Sequence, residues 1–271
     1  MIAAVRRQAS IYFSFAAMAP KMMLAYSIWV WMEFFVQSMG LVIFVAFWTA
    51  VYADQATIGG LDLDQTLKYI ILARIFAPLA MNTNMVFRFG TMLREGQIGI
   101  ELLRPVDFQA ANYSVSIAFI LTDLVMQIPL AIVGWLLYRF QLPTDPWVWT
   151  AFIISALLGN AYVFFFDWIL GCAAFFITET WGLSVLRFAI AGFFSGALIP
   201  LAMMPDWLRV IATVLPFSQA LYVPVGLLSG ILPVSDAPTI WLGQIAGILV
   251  LGFLSRQVFR LSVRKVTVQG G

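Results

Sequence analysis

Residues 26–52 run across the width of a bilayer with a single charged side chain, Glu33. The stretch exceeds the ~20 residues that cross a hydrocarbon core, and comparable apolar runs recur down the chain between short charged or Pro/Gly-rich stretches. The chain has 62% hydrophobic and 10% charged residues and a mean hydropathy of +0.95. An average soluble domain has roughly 25% charged residues, and a soluble core cannot hide this much apolar surface. Lipid is therefore the expected solvent, and the expected fold is an all-α polytopic membrane domain covering residues 1–271.

Six transmembrane helices are expected, near residues 26–52, 67–89, 110–138, 147–177, 183 onward and 239–259. With the N-terminus inside, Arg6, Arg7, Lys21, Arg88, Arg94, Arg104, Arg187, Arg256, Arg260, Arg264 and Lys265 fall at inner ends, whereas few basic residues fall at outer ones. By the positive-inside rule both termini are cytoplasmic, in an inner cell membrane of bacterial type. Within residues 1–24, Ile2, Val5, Ala9, Tyr12, Phe13 and Ala16 recur at helical spacing, which predicts an interfacial helix. No short apolar core with a small-residue cleavage site follows it, so no removable signal peptide is expected.

Several chemistries are excluded by residue type. The chain has no histidine and one cysteine, Cys172, which rules out internal disulfides, His-ligated metals and His-based catalysis. Its three lysines follow Pro20, Leu67 and Arg264, so the Gly-Lys of a phosphate-cradling P-loop is absent. No cofactor is expected on this chain. The net charge of +2 is dispersed, unlike the basic patch of a nucleic-acid binder.

Polar residues inside spans are functional candidates because lipid makes them costly. In the third span Asn112, Ser116, Asp123 and Gln127 share a stripe of roughly 60° at about 100° per residue. Asn160 and Asp167 lie on one face of the fourth span, and Glu33 and Gln37 are one turn apart in the first. These carboxylates line a pathway or are held structurally by partners such as Arg74 or Arg187.

Two further stretches stand out. Between residues 183 and 230, Pro200, Pro205, Pro216 and Pro224 each remove a backbone donor. A short amphipathic helix is expected from Asp206 to Leu215, and the whole of 200–230 reads as a re-entrant outer hairpin after span five. The inner stretch 89–106 carries Arg94, Glu95, Glu101 and Arg104 and ends at Pro105. It reads as a short charged helix suited to docking a partner.

These two stretches, REGQIGIELLRPV at Arg94–Val106 and FFSGALIPLAMMPDWLRVIATVLPFSQALYVPVGLLSG at Phe193–Gly230, resemble the ABC-2 type permeases. The likeness is to the small six-span group often encoded beside a second permease. It implies two permease subunits, identical or related, above two ATPase subunits that hold ATP and Mg. In such proteins the loop at Arg94–Arg104 sits in a cleft of the ATPase, Arg6 and Arg7 fall on an elbow helix, and substrate passes at the interface between permeases. Export of an amphipathic or hydrophobic compound is the leading expectation. The alternatives are a polytopic membrane enzyme or passive channel built on Glu33, Asp123 and Asp167, and a scaffold without transport.

Overall fold

The structure is a computed structural model, and it describes residues 27–81, 84–177 and 179–265. The expected interfacial helix of residues 1–24 lies outside the described residues. Every regular element among them is helical. In chain order these are α1 (Ser27–Val51), α2 (Leu63–Phe76), α3 (Pro78–Met81), α4 (Met85–Arg94), α5 (Gln97–Leu102), α6 (Phe108–Met126), α7 (Ile128–Tyr138), α8 (Pro146–Gly171), α9 (Trp181–Phe194), α10 (Asp206–Val214), α11 (Pro216–Ala220), α12 (Tyr222–Ser229) and α13 (Ala237–Val263). Short 3-10 turns cover Cys172–Phe175, Leu201–Met203 and Val234–Asp236.

Among the described residues, four helical stretches are long and apolar enough to cross a membrane: Trp31–Val51, Phe108–Tyr138, Pro146–Phe175 and Val234–Val263. The apolar α9 has 14 residues, fewer than the ~20 of a full crossing. The stretch expected as one helix over residues 67–89 is instead divided into α2, α3 and α4. Pro78 has no N–H to continue α2, and Asn84 starts α4 afresh by accepting from Phe87 N at 3.2 Å. The helix expected over 110–138 bends at Gln127, where α6 gives way to α7. Pro129 supplies the reason, since it cannot donate back to the preceding turn.

Helix starts follow the local sequence. Asp62 accepts from Gln65 N at 2.8 Å while the Gln65 side chain accepts from Asp62 N at 3.2 Å, a reciprocal capping box. Asp107 and Asp145 cap α6 and α8 through Ala110 N and Trp147 N, using donors a helix start leaves unpaired.

Helix α8 is the hub, packed by α13, α11, α12 and α4. Lipid provides little hydrophobic drive between helices, so close backbone approach through small residues matters more. Gly159 of α8 lies directly against the Gln219 and Ala220 backbone of α11, where no Cβ would fit. Behind this contact lies the largest apolar core, which joins Tyr69, Ile70, Leu72 and Ala73 of α2 to Phe217, Leu221, Val225 and Leu228. All of α12 is buried, packed against α8 and α2.

Candidate functional site

The break after α2 would strand backbone carbonyls inside the protein, and three polar side chains meet them. Asn160 Nδ2 donates to Leu79 O at 3.2 Å, Arg187 Nη2 to Ala80 O at 2.9 Å and Arg187 Nη1 to Met81 O at 3.1 Å. Arg187 of α9 also donates through Nε and Nη2 to the Asp167 carboxylate of α8 at 2.9 and 2.5 Å. Its guanidinium lies 5.1 Å from the Phe217 ring centroid. Arg187 and Asp167 are 2% and 0% exposed, so this pair is sealed. Burial of two charges is tolerable because geometry and further hydrogen bonds compensate for lost water. Asp167 thus orients the arginine that holds the interrupted helix.

The other expected intramembrane polar residues divide into two groups. On α6, Asn112 and Ser116 are buried, and Asn112 Nδ2 donates to Phe108 O at 2.8 Å. One turn away on that face, Gln109 Nε2 donates to Ser255 Oγ of α13 at 2.8 Å. Further along, Asp123 is half-buried and Gln127 buried, and Asp123 lies close enough to Glu33 of α1 for their charges to interact. The stripe read from spacing is therefore one helix face with two different neighbourhoods. Gln37 is half-buried, one turn beyond Glu33. Arg74 of α2 crosses to α1, with its guanidinium 5.7 Å from the Phe44 ring centroid, and it pairs with neither Glu33 nor Asp123.

The stretch 89–106 is two helices, not one. Glu95 ends α4, and Gly96 takes a left-handed backbone (φ 69) before α5 begins. Arg94, Glu95 and Arg104 are exposed, and Arg104 Nη2 pairs with Glu101 at 3.0 Å. Alongside these charges Ile100 and Leu103 are 65% and 86% exposed, whereas Ile98 is 3% exposed and turned inward. An exposed apolar pair ringed by charge is the usual composition of a protein contact surface.

Ile98 enters a cluster that spacing alone does not reveal: Phe89 of α4, Phe108 of α6, Trp168 of α8 and Phe175 and Phe259 beyond them. The rings meet at centroid distances of 4.9 Å for Phe89–Trp168, 5.1 Å for Trp168–Phe259 and 5.4 Å for Phe108–Phe259. Beside it Asp107 Oδ2 accepts from Arg256 Nη1 of α13 at 2.8 Å. Partial burial pushes the Asp107 carboxyl up, but the Ala110 N–H and the Arg256 guanidinium outweigh it and hold the group below its ordinary value.

The proline positions serve as helix boundaries. Pro200 and Pro205 precede the turn Leu201–Met203 and α10, and Pro216 is the first residue of α11. Asp206 opens α10 and pairs with Arg209 one turn on, and α10 exposes Trp207, Val210 and Val214. Tyr69 OH of α2 donates to Gly196 O at 2.9 Å, tying the end of α9 to α2.

Among the described residues no cluster of His, Cys, Asp or Glu can hold a metal ion, and Cys172 is buried. Among curated proteins, none matches the chain. A family model described as ABC-2 family transporter protein matches residues 36–270. That match covers most of the chain, and it agrees with the apolar helices and with the two stretches that carried the resemblance: the chain belongs to the ABC-2 family of transporter membrane proteins.

Proposed function

We propose that this permease exports an amphipathic or hydrophobic compound across an inner cell membrane, driven by ATP hydrolysis on a separate polypeptide. Two ATPase subunits hold ATP and Mg, and two permeases, this chain with an identical or related one, form the path. The observation that carries this reading is the charged surface at Arg94–Arg104. It offers Ile100 and Leu103 outward and sends Ile98 inward to the aromatic cluster.

The reading treats residues 1–271 as one domain with six crossings and both termini cytoplasmic. Crossings two and five are the interrupted ones, α2–α4 and α9, and residues 1–24 form the elbow helix. Residues 200–230 form the re-entrant hairpin, a view supported by the burial of α12. Closure of the ATPase pushes on α5. Ile98 and Phe89 pass that push to α6, α8 and α13, and through α4 to the interruption held by Arg187. A two-state rearrangement of the bundle then exchanges inward and outward access.

Affinity purification of the full chain from its own membranes tests this. The expected result is a stoichiometric ATPase subunit whose hydrolysis rises with cargo. Purification of an active channel or enzyme without an ATPase overturns it.

A further inference from the structure

We propose that Arg74 is a binding site for the anionic headgroup of an amphiphile that sinks below the membrane surface; as a binding site it stands independently of the export reading. Arg74 lies about 10 Å along α2 from Leu67, where the second apolar stretch begins, at 1.5 Å per residue, roughly a third of the way into a ~30 Å hydrocarbon core. All thirteen acidic residues of the chain are among the described ones, and none pairs with Arg74. Its Nε is buried without a partner among the described residues. The buried guanidinium of Arg187 has a carboxylate and two carbonyls, which shows what full satisfaction of such a group requires in this fold.

The surroundings hold Arg74 in place without neutralising it. Phe44 takes the guanidinium face, and at Gly40 a Cβ would stand 2.6 Å from Nη2, so the absent side chain makes the room that the charge occupies. A guanidinium at this depth needs a counter-anion. Beside Gly40 on α1, Val36, Ile43 and Phe47 are exposed, which suits an apolar tail beside a charged head. A free anion would have to shed its hydration for the ion pair alone, whereas an amphiphile also keeps its apolar tail in lipid.

An identical second copy is a poorer source of the anion. In a pair of copies related by an axis along the membrane normal, the partner would keep each acid at its own depth. Glu33 lies about 10 Å along α1 from Gly40 at 1.5 Å per residue, and Asp123 is near enough to Glu33 for their charges to interact.

The test uses the full chain purified in detergent, with phosphatidylglycerol or phosphatidylcholine added and retained lipid counted by native mass spectrometry. The expectation is one tightly held phosphatidylglycerol. Its affinity falls about tenfold or more in Arg74→Gln, the scale of a charged hydrogen bond, and is largely kept in Arg74→Lys. Arg260→Gln, at an exposed position, leaves it intact. Thermal unfolding of Arg74→Gln and its phosphatidylcholine retention, both expected at the wild-type level, control for misfolding of that variant. Undiminished retention in Arg74→Gln overturns the proposal. So does displacement by inorganic phosphate alone, which would make the ligand a free anion, and so does loss of a permease dimer in Arg74→Gln with no lipid preference in wild type. Absence of an ATPase from the preparation would count against the export reading and leave this result unchanged.

Discussion

Arg187 and Asp167 form a two-pronged ion pair at 2.9 and 2.5 Å, and the same guanidinium holds the Ala80 and Met81 carbonyls at 2.9 and 3.1 Å. The pair therefore joins three elements, α8, α9 and the interrupted stretch after α2. It explains how polar backbone is carried at membrane depth, since irregular backbone there is tolerated only inside protein.

Removing either partner leaves an uncompensated buried charge or bare carbonyls. Asp167→Ala is expected to lower stability by about 3–5 kcal/mol, the usual cost of breaking a buried pair. Arg187→Ala is expected to cost at least as much, because two carbonyl bonds go with it. The double alanine variant should not recover stability, since Ala80 and Met81 stay unpaired. Thermal unfolding of the purified chain in detergent measures the order.

Gly159 predicts a packing defect of different origin. A methyl group there would overlap the Gln219 backbone, whose carbonyl also accepts from Gln244 Nε2 at 3.1 Å. Gly159→Ala should destabilise by about 1–3 kcal/mol through overpacking. The same substitution at Gly243, where the added atom meets nothing within 4 Å, should leave the melting temperature close to wild type.

Asp107 gives a pH dependence. Its carboxyl is held below its ordinary value in the fold, so the unfolded chain binds its proton more readily. The contribution of Asp107 is therefore complete above the ordinary carboxylate range and is lost as pH falls through the lower folded value. Asp107→Ala should cost about 1 kcal/mol at neutral pH through the lost helix cap. The difference from wild type should vanish in strong acid, as followed by denaturant unfolding at a series of pH values.

At the proposed docking surface, stability and function should separate. Leu103→Asp and Ile100→Asp alter exposed side chains and are expected to change stability by no more than about 0.5 kcal/mol. Both should abolish cargo-stimulated ATP hydrolysis in the assembled complex. Ile98→Asp should instead unfold the local helix pair, since that side chain is buried with the aromatic cluster.

Legibility from sequence followed the range of the interactions. Helix starts at Asp62, Asp107 and Asp145 depend on residues two or three positions away, and α10 carries its amphipathic pattern within one helix. The long apolar helices and the family motifs were likewise readable. Asp167 was visible as a costly intramembrane acid, but its geometry was not. It depends on carbonyls freed by a break at Pro78, more than 80 positions away in sequence, and spacing within one helix cannot report that. The aromatic cluster was hidden for the same reason, because Phe89, Phe108, Trp168 and Phe259 come from four helices. Its one local sign was an aromatic residue near the same end of each. The interruption of the second apolar stretch was signalled by Pro78 and Asn84, which the continuous hydropathy of residues 67–89 masked.

The central claim is that nucleotide energy reaches this chain at Ile100 and Leu103. Its most direct measurement uses Leu103→Cys in a Cys172→Ser background, with a bifunctional thiol–amine cross-linker applied to native membranes. Azido-ATP then identifies the nucleotide-binding polypeptide. The account predicts one cross-linked product that carries azido-ATP label and whose yield changes between ATP-bound and nucleotide-free states. A Leu103→Cys chain that is never linked to a labelled polypeptide, while transport by the membranes persists, would contradict it.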